Sequence, residues 1–211
     1  TYQIVHFDTT VIRPDSAWVR GLNALISKDI SILWVREVSS EFHARYSALR
    51  RTYRYLLLNR EQRPGLFAKN VGWYHKKLDV NAMKAAALTI IGENDFSAFR
   101  SSECQANNPV RTIEKLCVRA VGDVIVFEVT ANAFLHHMVR NIVGTLVYIG
   151  AGKQPVEWMD EILVSRNRAL AAPTFSPNGL YLTSIDYNPH WGLPGPGLFS
   201  DFENVLTSFD A

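Results

Sequence analysis

Apolar and polar positions along the chain alternate in some stretches with a period of two and in others with a period near 3.6. Residues 52–58 alternate, with Tyr53 and Tyr55 on one face and Arg54 on the other, and predict a strand. The opening residues 2–7 and the β-branched stretch 30–38 predict two more, and residues 180–187 a last one. Residues 111–121 and 124–130 predict a hairpin, because Gly122-Asp123 puts Gly first in a two-residue type II′ turn. Helical spacing begins at Pro14-Asp15 and runs through Trp18, Leu22, Leu25 and Ile26. Pro suits the first helical turn and Asp its positive end. Asp79 caps a second helix through Met83, Ala86 and Ile90, stopped by Gly92. A third helix is predicted over 133–149, with Leu135, Met138, Val139, Ile142, Leu146 and Ile149 as its core face. Pro155 starts a fourth through Trp158, Ile162 and Leu163.

Residues 93–109 lack either period and read as a long loop, a length that often carries function. The Pro- and Gly-rich residues 189–197 read as a linker, and 201–209 as a short acidic helix. Strands and helices alternate irregularly and include a hairpin. The fold class is therefore α+β, a largely antiparallel sheet with helices packed on one face. One domain over 1–187 with a tail over 188–211 accounts for the 211 residues. With 47% apolar and 20% charged residues, a packed core is expected and general disorder is not. The apolar runs are far too short to span a bilayer, so no membrane partner is expected. Two cysteines, Cys104 and Cys117, make no disulfide framework, and no secretory leader is seen, so the expected setting is cytoplasmic. Position 1 is Thr and a strand pattern begins at once, which reads as part of a longer protein.

Net charge is only +2, but it is unevenly spread. Arg45, Arg50, Arg51, Arg54, Arg60 and Arg63 face the single acid Glu61, a local excess of five positive charges. Tyr46, Tyr53 and Tyr55 interleave with them. Guanidinium groups for phosphates and aromatic faces for unpaired bases make a workable RNA surface. A solvated strand edge, charged against aggregation, explains the same residues equally well. On the predicted third helix His136 and Arg140 lie four apart, and Gly144 one turn on would admit a close backbone approach. Taken alone, Arg140 reads slightly better as a surface ion-pair partner. Adjacent His136-His137 diverge on a helix and lack a completing ligand, so no metal site is expected. The dinucleotide, P-loop, serine-hydrolase and zinc-protease motifs are all missing. The residues by themselves stop at an α+β domain with a basic, aromatic strand suited to RNA.

Five stretches, in order, go further. They are Phe42-His43-Ala44-Arg45-Tyr46-Ser47, Arg51-Thr52-Tyr53-Arg54-Tyr55 and Gly92-Glu93-Asn94-Asp95-Phe96. Then come Asn132-Ala133-Phe134-Leu135-His136-His137-Met138-Val139-Arg140-Asn141-Ile142-Val143-Gly144 and Gly179-Leu180-Tyr181-Leu182. Together they closely resemble the TruA-type tRNA pseudouridine synthases, over nearly the whole span from Gln3 to about Tyr187. The resemblance implies an RRM-like synthase core that isomerises uridine to pseudouridine at positions 38, 39 and 40 of the tRNA anticodon stem-loop. It implies a homodimer and no cofactor and no metal.

By the same resemblance, Tyr53 matches the active-site tyrosine that stacks on the flipped base and assists proton removal at C5. Arg140 matches the arginine that pairs with the catalytic carboxylate. tRNA contacts are implied at Arg13, at Phe42, His43, Ala44, Arg45 and Tyr46, and at Glu103, Cys104, Gln105, Ala106 and Asn107. The family's nucleophilic Asp lies in a GRTDAGVHA-type motif that does not occur in these residues, and neither Asp8 nor Asp15 matches it. The expectation is therefore a synthase whose nucleophile lies outside this stretch, the stretch alone being inactive yet binding tRNA weakly. The rival expectation is a non-catalytic RNA-binding or dimerisation module.

Overall fold

The computed structural model describes residues 3–194, in which ten main elements follow in the order α1 (Asp15–Leu25), β1 (Ala48–Asn59), β2 (Gly72–Tyr74), α2 (Val80–Leu88), β3 (Gly92–Asp95), β4 (Val110–Val121), β5 (Val124–Ala131), α3 (Met138–Gly150), α4 (Trp158–Ser165) and β6 (Leu180–Tyr187). The strands form one sheet in the order β2-β1-β5-β4-β3, with β6 also on β1. β6 and β2 share one edge of β1, β6 against its first part and β2 against its end. All pairs are antiparallel except β1–β2, so the sheet is mixed by that one short pairing.

Period two decides which side chains go inward. Tyr55 and Leu57 of β1, Ile125, Phe127 and Val129 of β5, and Leu116 and Val118 of β4 share a face and are buried. Met83 and Ala86 of α2, Met138, Ile142 and Leu146 of α3, and Met159 and Ile162 of α4 join them in one core cluster. Each fully buried side chain of this size contributes about 1.5–3 kcal/mol. The opposite face carries a polar ladder. Glu128 of β5 pairs with Arg54 of β1 at 2.7 Å and with Lys115 of β4 at 2.8 Å, and the Thr52 and Thr130 hydroxyls meet at 2.9 Å. The α+β class and the one-sided packing of α2, α3 and α4 are as the pattern predicts.

Several local readings hold closely. Asp79 caps α2 by accepting from the Asn81 and Ala82 amides. Gly122 has the positive φ (+52°) that the first turn position needs, and the hairpin runs as expected. Others are corrected. Residues 3–7 and 30–38 are not strands, because a strand is a pairing and none of the described strands lies against them. Within the expected loop 93–109, β3 pairs with β4, and a single 3₁₀ turn follows over Ser97–Phe99. Of the linker reading, Pro189–Trp191 is another such turn; the acidic helix over 201–209 lies outside the described residues.

Candidate active site

The inward face of β1 opens toward the beginning of the strand. Leu57 and Tyr55 are fully buried, while Tyr53 and Arg51, next on that face, are half-buried. The Tyr55 hydroxyl donates to the Ser176 carbonyl at 2.9 Å, and its ring packs on Phe127 and Phe175. Tyr55 is thus core, and it offers no face to a base. Tyr53 meets Phe134 edge-on, with centroids 5.0 Å apart. Burial pushes the Tyr53 phenol pKa up, only partly opposed by the Arg51 charge, so the phenol is neutral at ordinary pH.

Above this opening the chain enters α3 later than its apolar spacing predicts. The Asn132 side-chain oxygen accepts from the Thr112 and Ala133 amides and diverts the backbone. His137, with φ +61°, is the left-handed residue at which the helix begins. His136 and Arg140 therefore do not share a helix face, and the two histidine rings stack at 3.9 Å instead. Arg140 sits in the first turn of α3. Its Nε donates to the Phe175 carbonyl at 2.8 Å, and among the described residues its two Nη groups have no protein partner. Gly144, one turn on, does admit a close backbone: a Cβ there would lie 2.5 Å from the Pro173 carbonyl oxygen. Arg140 is thus tied through Phe175 to β1 at Tyr55, near Tyr53 in the strand. The Phe175 ring lies on Tyr55, two residues from Tyr53, and the Phe175 carbonyl holds Arg140.

The expected tRNA-contact residues gather near this end of β1, with one apart. The Arg51 guanidinium donates to the Asn132 carbonyl at 3.0 Å and also to the Arg45 carbonyl, tying the turn 42–46 to the entry of α3. Within that turn His43 Nδ1 accepts from the Arg45 and Tyr46 amides, Tyr187 donates to the Ala44 carbonyl, and Arg45 lies over the exposed Tyr46 ring. Phe42 is buried between Tyr187 and Trp191 and so supports the turn from within. The loop with Glu103, Gln105, Ala106 and Asn107 joins the same end. The His136 amide points at Cys104 Sγ (3.4 Å), and the Ser101 amide donates to the His136 carbonyl at 3.1 Å. Cys104 is itself buried, so its thiol anchors the loop and is not presented outward. Arg13 stands apart. It lies over Trp18, which packs on Phe7, whose neighbour His6 packs on His43.

The basic stretch resolves residue by residue. Arg50 pairs with Glu114 and Asp186, Arg54 with Glu128 on the opposite face, and Arg60 with Asp123. The Arg51 side chain is bound to carbonyls, and among the described residues only Arg45 and Arg63 of the six make neither an ion pair nor a carbonyl contact with their guanidinium groups. The stretch is mostly a self-neutralised framework with Arg45 at its exposed end. Among the described residues no three His, Cys, Asp or Glu side chains are grouped to hold a metal, and no helix is long and apolar enough to cross a membrane. Sequence reasoning missed Phe134 as the partner of Tyr53 and Phe175 as the anchor of Arg140. Phe134 lies inside a motif already singled out, whereas Phe175 carries no local signal.

Residues 86–188 match a family model described as tRNA pseudouridine synthase. The chain is 57% identical over 192 residues to the tRNA pseudouridine synthase A of Nitrosomonas eutropha, covering 91% of this chain and 69% of that protein. It is 54% identical to the protein of that name from Dechloromonas aromatica (93% and 75%) and 54% identical to that from Paraburkholderia xenovorans (92% and 72%). The chain belongs to the tRNA pseudouridine synthase A family. Within the synthase match fall Arg140, Gly144 and Phe175, while Tyr53 and the turn 42–46 precede the matched span. The α+β core expected for the synthase family is the one observed.

Proposed function

We propose that the enzyme carrying this chain converts uridine to pseudouridine at positions 38, 39 and 40 of the tRNA anticodon stem-loop, with Tyr53 and Arg140 in its active site. In this reading a uridine leaves its stack and rests on Tyr53. A carboxylate of the family's Asp motif, which these residues do not supply, is paired and oriented by the Nη groups of Arg140. Attack by that carboxylate at the ribose C1′ forms a C–O bond as the C–N glycosidic bond breaks, the base turns, and C5 bonds to C1′ as the carboxylate leaves. The C5 proton is lost and N1 gains one, so the change is an isomerisation. The neutral Tyr53 phenol suits contact with the base, and at neutral pH it is not a phenolate base. Arg45 and Tyr46 on the turn 42–46 and the loop 103–107 supply phosphate and base contacts around the opening.

The observation that carries this reading is the Arg140 guanidinium, anchored through Nε to the Phe175 carbonyl with its Nη groups free of protein partners among the described residues, while the Phe175 ring lies on Tyr55, two residues from Tyr53. A charged fork held in place through its Nε suits an incoming carboxylate. We extend the proposal to a homodimer working in the cytoplasm. Exposed Phe7, Ile12, Leu25 and Ile30 on the segment before β1 support further burial there, and the free Cys104 and Cys117 suit a reducing compartment. The test is tritium release from tRNA labelled at uridine C5, using the enzyme with the Asp motif present. Release that disappears when positions 38–40 carry cytidine is the expected result. Unchanged release from that tRNA, or from Arg140→Ala enzyme, would overturn the reading.

A further inference from the structure

Asn141, next to Arg140, is fully buried in the first turns of α3. Its Nδ2 donates to the Phe99 carbonyl at 2.7 Å, and its Oδ1 accepts from Thr174 Oγ1 at 2.7 Å and from Arg168 Nη2 at 3.1 Å. The same Arg168 nitrogen reaches Thr174 Oγ1 at 3.1 Å, and Nη1 donates to the Ala172 carbonyl at 2.9 Å. No ion pair involves Arg168 among the described residues. Its guanidinium is spent on neutral acceptors, nearly all of them on the strap of residues 171–176. This is a costly use of a charge unless the geometry matters.

The strap runs in fixed step with α3. Residue 174 is bound to residue 141, and residue 175 to residue 140 through both Arg140 Nε and the Arg140 carbonyl. Gly144 lets the Pro173 carbonyl lie against the helix. The next residue, Ser176, receives the Tyr55 hydroxyl. A slip of the strap by one residue would break all of these together. An arginine side chain left without its anchor samples many rotamers, so whatever fixes the Phe175 carbonyl fixes the direction of the Nη fork.

We propose that Asn141, Arg168 and Thr174 form a clamp, buried at Asn141 and exposed at Thr174, that sets the strap against α3 and so aims the Arg140 guanidinium. They are positioning residues for the isomerisation, acting through Arg140 without touching the uridine. The proposal rests on the reading of Arg140 as the partner of the nucleophile.

The experiment measures kcat and KM by tritium release, with tRNA affinity by filter binding, for Arg168→Ala, Thr174→Val and Arg140→Ala in the enzyme with its Asp motif. Arg168→Ala lowers kcat about tenfold to a hundredfold while KM and affinity stay within about twofold. Low-millimolar guanidinium chloride, but not sodium chloride at equal ionic strength, restores part of the lost kcat by filling the vacated site. Thr174→Val, on the exposed side of the clamp, lowers kcat less and leaves the melting temperature nearly unchanged. Full activity in both clamp variants beside an inactive Arg140→Ala sinks the clamp and leaves the role of Arg140 standing. Full activity in Arg140→Ala sinks that role first, and the clamp with it. A kcat loss in Arg168→Ala that merely follows its folded fraction, with Thr174→Val at full kcat, also overturns the proposal.

Discussion

Arg140 and Phe175 hold each other twice: the Arg140 Nε donates to the Phe175 carbonyl at 2.8 Å, and the Phe175 amide donates back to the Arg140 carbonyl at 3.3 Å. One residue therefore fixes both the backbone and the side chain of the arginine. The arrangement uses Nε and keeps the two Nη groups in one plane, open to a partner. Lysine can reproduce the charge but not a fork anchored at one nitrogen.

Arg140→Lys is accordingly predicted to fold normally and to lower kcat by about 10²-fold or more, the usual loss when a preorganised donor is removed. Circular dichroism checks the fold and tritium release the rate. A lysine variant at near wild-type rate would mean that charge alone suffices.

Tyr53 yields a prediction in two parts. Tyr53→Phe keeps the edge-on contact with Phe134 and so retains stability, whereas Tyr53→Ala loses an aromatic pair worth about 0.5–1.5 kcal/mol beyond its buried area. Because burial raises the phenol pKa, wild-type activity should show no limb from Tyr53 ionisation between pH 7 and about 9. A pH–rate profile on wild type and Tyr53→Phe checks this. A limb in that range present only in wild type would refute the neutral phenol.

Strands β1 and β5 were legible because Tyr53 and Tyr55 alternate with Thr52 and Arg54, and Phe127 and Val129 with Glu128 and Thr130, and a buried face forces that period, whereas the short β2 and β3 offer too few positions to show one. The start of α3 was not legible. Phe134 and Leu135 continue the helical spacing, but the Asn132 hydrogen bonds and the left-handed His137 decide otherwise, and neither leaves a periodic trace. Residues 30–38 have β-branched composition without a paired neighbour, and composition cannot supply one. Tyr53 and Arg140 became visible through motifs spanning the chain, since nothing in their own spacing links positions 87 residues apart. Asn141 stands within one of those motifs, but as one polar residue in an apolar helix it shows no local sign of its partners. Its partners Arg168 and Thr174 lie 27 and 33 residues further on, beyond any local pattern.

The Arg54–Glu128–Lys115 ladder predicts a pH dependence of stability. Burial alone would raise the Glu128 carboxyl pKa, but hydrogen bonds and charge from Lys115 and Arg54 bring it below its ordinary 4.5. The unfolded chain then takes up a proton before the native one does. The stabilisation is full above about pH 4.5 and is lost as pH falls through the depressed native value. Glu128→Gln should therefore be less stable than wild type by about 1 kcal/mol at pH 7, with the gap closing toward pH 3. Urea melts at several pH values check it; a gap that widens in acid would show the sign to be wrong.

Gly144→Ala sets two effects against each other. In an open helix alanine is favoured over glycine by about 1 kcal/mol, so propensity alone predicts a more stable protein. Here the new Cβ would stand 2.5 Å from the Pro173 carbonyl oxygen and 3.6 Å from the Phe175 amide nitrogen. The first distance is far inside contact, and the obstacle is backbone, which cannot swing aside as a side chain does. Overpacking of this kind costs about 1–3 kcal/mol, which exceeds the gain from propensity. The strap must lift away from α3, and the Phe175 carbonyl lifts with it, stretching the 2.8 Å bond to Arg140 Nε. The variant is predicted to melt several degrees lower and to lose kcat at temperatures where it is fully folded, with tRNA affinity nearly unchanged. Thermal melts beside tritium release and filter binding make the comparison. A higher melting temperature with full activity would show that the strap yields freely and that the aim of Arg140 does not depend on it.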